Sequence, residues 1–178
     1  MRITGFLHHY VLNGKKLRVL NLHIPQSCDA SKERKQEIKR FWKIIVEEAK
    51  ACRALDEDFI LLGDLNAYEE GKEHSENIEY LRRLTDILFD LFLDWNKDIE
   101  EEIENGFPED WGYSWYSDKG IKRRLDYIFV NYPVVCGKVF SHDMLAYPIE
   151  EGISDHKAII VEYKRIPTDE EIEAGETF

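Results

Sequence analysis

Cysteine and long apolar segments are both scarce in this chain. Its three cysteines, Cys28, Cys52 and Cys136, are odd in number and scattered, which fits neither a disulfide framework nor a thiolate metal site. We therefore expect free thiols and a cytoplasmic location. The apolar runs are far shorter than a bilayer span, and the start of the chain does not resemble a signal peptide. These features argue against a disulfide-stapled scaffold and against a membrane-spanning helix.

Acidic residues are absent from positions 1–28 but abundant afterwards, and the formal net charge is −12. This charge disfavours long nucleic acids as partners, because most non-specific affinity for DNA comes from Lys and Arg on phosphates. A local basic cluster directly before Asp126 can nevertheless bind phosphate. It consists of Lys119, Lys122, Arg123 and Arg124. Residues 167–178 are expected to form an acidic C-terminal tail.

The hydrophobic pattern predicts a single α/β domain, since 178 residues with 43% hydrophobic content can bury one sizeable core. Two strands at 2–11 and 16–23 are expected to form a hairpin around Asn13-Gly14. Further strands are predicted at 59–62, 112–117, 122–131, 134–145 and 156–164. Helices are predicted at 31–53 and at 76–95, the second with Ser75 as its N-cap.

Three polar clusters adjoin predicted strands. Gly63-Asp64-Leu65-Asn66 follows the apolar run 59–62, and Leu125-Asp126-Tyr127 and Ser154-Asp155-His156 come later. Because strand ends can meet at one rim of a sheet, we expect these clusters to share a cleft. Carboxylates hold a hard cation such as Mg²⁺, and Asp and His transfer protons. The combination suits attack of water on a phosphate ester.

The order of these clusters resembles the endonuclease/exonuclease/phosphatase superfamily, which includes DNase I and exonuclease III. Its motifs read roughly Gly-Asp-Phe/Leu-Asn, then Arg-Leu/Ile-Asp-Tyr, then Ser-Asp-His, and Leu17 to His23 is similar to its N-x-H strand. The resemblance runs from about Leu17 to Tyr163. It implies a DNase I-like four-layer sandwich of two packed, mostly antiparallel β-sheets flanked by helices. No segment matches the family's early Asn and metal-binding Glu, so residues 1–166 are expected to form an N-terminally incomplete domain.

The resemblance implies a catalytic role for the first two clusters. Asp64 and Asn66 would position and activate water or stabilise the phosphorane, with Asn66 donating a hydrogen bond to a phosphate oxygen. Asp126 would fix His156, which stabilises developing negative charge. From the residues alone, Asp64 and Asn66 can instead form an Asx turn that ends the strand.

The resemblance also implies a metal ligand and substrate contacts. Asp155 would bind Mg²⁺ or Mn²⁺, and His23 would lie near the phosphate, although a packed structural histidine fits His23 nearly as well. Trp115 would stack on a base or sugar, and Arg124 would bind phosphate as a bidentate fork. A core tryptophan and an exposed strand arginine are the alternatives.

The activity that the resemblance implies is metal-dependent hydrolysis of phosphate esters, above all by a phosphodiesterase or nuclease. One alternative is a truncated or degenerate relative that at most binds phosphate. Another is a phosphatase acting on a small phosphorylated molecule or a lipid headgroup, which suits the acidic net charge. Nucleic acid is thus one of several candidate partners, and open sheet edges are expected to permit self-association.

Overall fold

The computed structural model describes residues 4–12, 14–70, 72–93, 112–135, 142–145, 147–167 and 169–173. The strands are β1 (Thr4–Leu12), β2 (Lys15–His23), β3 (Asp58–Asp64), β4 (Glu69–Glu70), β5 (Glu73–His74), β6 (Phe89–Asp90), β7 (Trp115–Tyr116), β8 (Lys122–Arg123), β9 (Asp126–Val130), β10 (Val134–Val135), β11 (His142–Leu145), β12 (Ala158–Val161) and β13 (Lys164–Arg165). The helices are α1 (Lys32–Ala54), α2 (Ile78–Thr85), α3 (Tyr147–Glu150) and α4 (Asp169–Glu173).

A five-stranded sheet in the order β1-β2-β3-β9-β6 organises the described residues. Strands β1 and β2 form the predicted hairpin, and Gly14 supplies a positive φ of 83° in its turn. Strand β2 runs parallel to β3, whereas every other described ladder is antiparallel. The mixed α/β class and the mostly antiparallel pairing are therefore confirmed.

Helix α1 covers one face of this sheet. Its N-terminus is capped by Ser31, whose side chain accepts a hydrogen bond from the backbone N–H of Arg34. The predicted apolar stripe is buried along the helix, with Trp42 and Ile45 at its centre. It packs in one cluster with sheet residues that include Phe59. Burial of this continuous apolar surface is the main stabilising contribution to the domain.

The opposite face of the sheet packs against the last strands of the described chain. Val130 belongs to a second apolar cluster, in which Ile60 and Ile128 meet Val134 and Val161. Adjacent residues of a strand point to opposite faces, which explains why Phe59 and Ile60 belong to different clusters. Sheets and helices thus pack in layers, as the resemblance implied.

The prediction of one helix over 76–95 was wrong in its extent. Helix α2 spans only Ile78–Thr85, and β6 follows it and pairs with β9. Apolar spacing could not reveal this break, because the leucines that recur at helical spacing, Leu81, Leu84, Leu88 and Leu91, are all buried in the observed structure too. Ser75 is not the N-cap. Its Oγ accepts a hydrogen bond from the Tyr68 N–H instead, and Asn77 directly precedes the helix.

The strand predicted at 59–62 is confirmed within β3, whereas 112–117 contains only β7, 122–131 is divided into β8 and β9, and 156–164 contains β12 and the first residue of β13. Strand 134–145 is seen at its two ends, β10 and β11, and Cys136 lies outside the described residues. Cys28 and Cys52 are free thiols, as expected. No helix in the described ranges is both long enough and apolar enough to cross a bilayer. The predicted acidic tail includes the short helix α4.

Candidate active site

The ends of three neighbouring strands bring His23, Asp64 and Asp126 into one row. His23 on β2 lies opposite Asp64 on β3, and Asp64 lies opposite Asp126 on β9. Adjacent strands are only about 4.8 Å apart, so residues from three distant parts of the sequence become neighbours. The central sheet therefore forms the base of the site, and its register aligns these three side chains.

The segment 154–156 reaches this row through strand β7. Trp115 forms an isolated β-bridge with His156, and the Tyr116 N–H donates to the Asp155 carbonyl at 3.0 Å. On the far side of the bridge, the Lys157 N–H donates to the Ser114 carbonyl at 2.7 Å. These bonds fix where Asp155 and His156 lie relative to the sheet.

Ser114 joins the two halves of the site. Its side chain is fully buried, and its Oγ accepts hydrogen bonds of 3.0 Å from the backbone N–H groups of Leu125 and Asp126. Because its backbone also binds Lys157, one residue connects the start of β9 to the segment of His156. Sequence reasoning assigned no role to Ser114.

These elements surround an open cleft of about 750 Å³. Seven of the eight predicted site residues line this cleft. Apart from Trp115, they are His23 of β2 and the polar residues of the three motif clusters. Its lining residues are His23, Pro25, Gln26, Cys28, Asp29, Ala30, Arg34, Asp64, Asn66, Trp115, Asp126, Asp155 and His156. The convergence that the motifs predicted is therefore present.

His156 and Asp126 form the tightest polar pair in the cleft. Nδ1 of His156 lies 2.7 Å from Oδ2 of Asp126, so the ring donates its Nδ1 hydrogen to the carboxylate. Burial lowers the His156 pKa, but the hydrogen bond and the charge of Asp126, with Asp64 and Asp155 adding to them, raise it above its usual value overall. This pair fixes the orientation of the imidazole and favours its protonated form.

Asp64 is held by Asn66 and lies beside His23. The backbone N–H of Asn66 donates to Oδ1 of Asp64 at 2.9 Å, and its side-chain amide donates to Oδ2 at 2.8 Å. The same amide nitrogen also donates to the carbonyl of Ile24 at 2.8 Å. Since both amide hydrogens are used, the predicted donation from Asn66 to a phosphate oxygen is wrong in this arrangement. Asn66 positions Asp64 instead.

The carboxyl group of Asp64 has a perturbed pKa. Burial, and then the negative charge of Asp126, raise the Asp64 pKa from 3.8 to about 6, against the opposing effects of Asn66, His156 and His23. Nε2 of His23 lies 3.5 Å from Oδ2 of Asp64. A carboxylate with a pKa close to the working pH is suited to accept a proton from water.

Asp155 is an exposed carboxylate of the cleft, and Trp115 orients it. The indole Nε1–H of Trp115 donates to Oδ2 of Asp155 at 2.8 Å. Oδ1 of Asp155 lies 3.9 Å from Nε2 of His156. Trp115 therefore lines the cleft, as predicted, and in addition fixes the direction of a neighbouring acidic side chain.

Comparison of the sequence with models of known protein families identifies the family of this chain. A model of the Endonuclease/Exonuclease/phosphatase family matches residues 12–156. The chain belongs to this family. No curated protein sequence matches it significantly.

Solved structures of the same fold superpose on the chain. The catalytic domain of Xenopus laevis APE2 has a TM-score of 0.59 at 19% identity, covering 94% of this chain and 56% of that one. The Neisseria 3′ phosphatase NExo, bound to a product DNA hairpin, has a TM-score of 0.59 at 15% identity over 83% of this chain and 61% of that one. A humanized D. rerio TDP2 has a TM-score of 0.56 at 17% identity, over 91% and 61%.

These similarities establish the DNase I-like fold of the family member described here. The chain spans about three fifths of the length of each of these three structures.

A divalent cation would find few ligands among the described residues of this family member. They contain no group of three or more His, Cys, Asp or Glu side chains placed to hold a metal ion. Asp126 and Asp64 already bind His156 and Asn66, which leaves Asp155 and Asp29 as the exposed carboxylates of the cleft. Mg²⁺ requires near-octahedral oxygen coordination, so these residues alone do not form a site for it.

Arg124 does not reach the cleft, and its predicted contact with substrate phosphate is not supported by this position. Its guanidinium is buried between the rings of Phe92 and Tyr127 and pairs with Asp90 at 2.5 Å. Asp90 is itself buried, so the two charges neutralise each other inside the domain. The alternative of a strand arginine outside the cleft was closer, except that the Arg124 side chain is only 15% exposed.

The segment between β2 and α1 is the part of the cleft that motif reasoning missed. It contributes Gln26, Cys28, Asp29 and, in the first turn of α1, Arg34. A usable signal was present, because the chain leaves β2 at His23, on the predicted active rim, and must cross that rim before α1 begins.

Proposed function

We propose that this protein hydrolyses phosphate esters, above all phosphodiesters, with Mg²⁺ or Mn²⁺ as cofactor. The observation that carries the proposal is the His156–Asp126 pair, with 2.7 Å between Nδ1 and Oδ2, next to the elevated-pKa carboxyl of Asp64 in one open cleft. Paired groups of this kind, whose surroundings shift their pKa values, are typical of acid–base sites.

In this mechanism His156 stabilises negative charge on the reacting phosphate. Its Nδ1–H is committed to Asp126, which leaves Nε2–H as the donor to a phosphate oxygen. The raised pKa favours the protonated ring, in which this donor is charged. Asp126 prevents the ring from rotating and supports its positive charge.

Asp64 acts as the proton acceptor for the attacking water. Above pH 6 its carboxylate is ionised, and Asn66 fixes both of its oxygens. His23, on the other side of Asp64, can bind the water or a phosphate oxygen because its ring is partly exposed to the cleft. The water oxygen then attacks the phosphorus, the bond from phosphorus to the ester oxygen breaks, and the departing alcohol oxygen takes a proton from solvent, while His156 holds the developing charge on the phosphate.

We assign the contact with the cation to Asp155, and no step above depends on the ion. When bound, a divalent cation neutralises charge on phosphate oxygens. One described carboxylate supplies too few ligands for tight binding, so calorimetry should detect weak Mg²⁺ binding or none. Tight stoichiometric binding would mean that another carboxylate completes the site.

A small phosphorylated molecule or a lipid headgroup remains a second candidate substrate class, and the net charge of −12 favours it over long nucleic acid. A cytoplasmic location fits the two free thiols, Cys28 and Cys52. We also propose that the edge strand β1 permits self-association, since it ends the sheet in the described residues.

The test of the reaction is a substrate panel with the purified chain. Bis(p-nitrophenyl) phosphate, p-nitrophenyl phosphate and single- and double-stranded oligonucleotides are incubated with Mg²⁺, Mn²⁺ or EDTA. We expect metal-dependent release from a diester, reduced in Asp155→Asn. No release from any substrate with either ion would favour the non-catalytic alternative.

A further inference from the structure

The charged residues of the cleft are unevenly divided between the two signs. Four carboxylates line it, those of Asp29, Asp64, Asp126 and Asp155. Among the lining residues that the structure describes, Arg34 is the sole lysine or arginine. A phosphate ester that enters the cleft therefore meets one permanently positive side chain, in addition to the titratable histidines.

The basic cluster before Asp126 does not supply this positive charge. The Arg123 guanidinium binds Glu70 at 3.0 Å and Glu73 at 2.6 Å, and Arg124 pairs with Asp90 away from the cleft. The Lys122 ammonium lies over the ring of Tyr116. None of these three cations lines the catalytic cleft, and neither does Lys119, the fourth member of the cluster.

Arg34 is placed to bind an anion while keeping its own anchor. It lies in the first turn of α1, where its backbone N–H donates to the Ser31 Oγ. Its guanidinium pairs through Nη1 with Glu37 on the same helix, and its side chain is 26% exposed. A guanidinium has five N–H donors in a planar fork, so it can contact Glu37 and a phosphate or carboxylate at once.

We infer that Arg34 binds a second anionic group of the substrate and that the substrate is short. This inference rests on the proposed function, because the first anionic group is the phosphate that reacts at His156. One arginine can compensate for one additional charge. Further phosphates of a long polyanion would meet the carboxylates of the cleft and a surface of net charge −12. The geometry thus favours a short phosphate ester with a second phosphate or carboxylate over a long duplex.

The binding test needs no turnover. Thymidine 5′-phosphate and thymidine 3′,5′-bisphosphate are titrated by calorimetry into the full chain and three variants. Arg34→Gln removes the charge, and Arg34→Lys keeps it without the fork. Arg40→Gln removes an equal charge from an exposed position on the same helix that does not line the cleft.

We expect the wild type to prefer the bisphosphate by roughly 10- to 100-fold, the range of one charge-assisted contact. Arg34→Gln should abolish this preference, Arg34→Lys should keep part of it, and Arg40→Gln should keep all of it. Equal binding of both ligands by the wild type, equal weakening of both in Arg34→Gln, or no binding of either ligand overturns the inference.

The kinetic arm separates this inference from the proposed reaction. The p-nitrophenyl ester of thymidine 5′-phosphate is compared with its 3′-phosphorylated form. Arg34→Gln should raise KM for the doubly charged ester alone, with kcat nearly unchanged. A chain that hydrolyses neither ester yet binds the bisphosphate through Arg34 would contradict the reaction and leave the anion site in place. Turnover of both esters without any change in KM in Arg34→Gln would contradict the anion site alone.

Discussion

Asp64 and Asp126 are directly paired residues of β3 and β9, and both side chains enter the same cleft. Two like charges this close oppose each other's ionisation. The two carboxylates have different hydrogen-bond partners, because Asp126 binds the His156 ring whereas Asp64 is held by the amide of Asn66. Burial, and then the charge of Asp126, raise the pKa of the Asp64 carboxyl to about 6.

The raised pKa of Asp64 predicts that the stability of the protein depends on pH. Because the folded-state pKa of Asp64 is raised from 3.8 to about 6, folding favours its protonated form, and that contribution is lost as the pH rises through 6. Asp64→Asn cannot ionise. The free energy of unfolding of the variant, minus that of the wild type, should therefore rise between pH 4 and pH 7 by on the order of 2 kcal/mol.

Urea unfolding of both proteins at several pH values measures this difference. Subtracting the free energy of unfolding of the wild type cancels the contributions of all other carboxyl groups, provided that those groups titrate alike in both proteins. A difference that does not change with pH would show that Asp64 has an ordinary pKa.

Asp126→Asn should lower the pKa of His156. The hydrogen bond and the charge of Asp126 are what raise that pKa against the effect of burial, and the amide supplies no charge. Activity should rise with pH as Asp64 ionises and fall as His156 loses its proton, so the alkaline limb of the pH profile should move to lower pH in the variant.

The His156 pKa is read from the imidazole NMR signals as a function of pH. Asp118→Asn is the matched control, because Asp118 lies in an exposed turn outside the cleft. An unchanged His156 pKa in Asp126→Asn would contradict the assigned pair.

The motif residues of the site could be predicted because strand ends and register follow from local sequence. Asp64, Asp126 and His156 each adjoin an apolar strand, and the strands align them. Arg124 could not be placed in this way, since the sequence does not show whether an arginine beside a strand points to solvent or, as here, to the buried Asp90. Arg34 was missed because it belongs to no motif. The path of the chain after β2 brings it to the cleft.

The same distinction applies to secondary structure. Helix α1 was predicted almost to its ends because apolar residues recur at helical spacing along its length. The end of α2 was not predicted, because the pairing of Phe89 and Asp90 with β9 is a tertiary contact. The apolar residues at 81, 84, 88 and 91 would be buried in one continuous helix as well as in the observed helix and strand.

Gly63 should tolerate no side chain. It has a φ of 125°, and a Cβ atom built there would overlap the backbone of Leu22 on the neighbouring strand, so both the strain and the overlap would have to be relieved. We expect Gly63→Ala to lower the free energy of unfolding by about 3 kcal/mol or more.

Gly120→Ala is the matched control for this prediction. Gly120 also has a positive φ, of 77°, but nothing lies within 4 Å of an added Cβ. It should cost only about 1 kcal/mol, from backbone strain alone. Equal losses in the two variants, measured by thermal or urea unfolding, would show that β2 and β3 are not as close as described.

Strand β1 should mediate concentration-dependent self-association. It ends the sheet in the described residues, carries no charged residue, and exposes Phe6, Tyr10 and Val11, the last at 72%. Natural edge strands usually carry charges that prevent pairing. Sedimentation velocity should detect a larger species at high concentration, which Val11→Lys should reduce.

Ile44→Lys is the control for this experiment. Ile44 is similarly exposed, at 62%, but lies on α1. If both lysine variants reduce association equally, or if the wild type sediments as a monomer at all concentrations, β1 is not the interface.

The most direct measurement of the central claim is the turnover of the best substrate by His156→Ala relative to the wild type. His74→Ala serves as the control, since His74 is exposed and does not line the cleft. The account predicts a loss of roughly 10²- to 10⁴-fold in kcat/KM for His156→Ala and little change for His74→Ala. Equal turnover by the wild type and both variants would contradict the assignment of the active site.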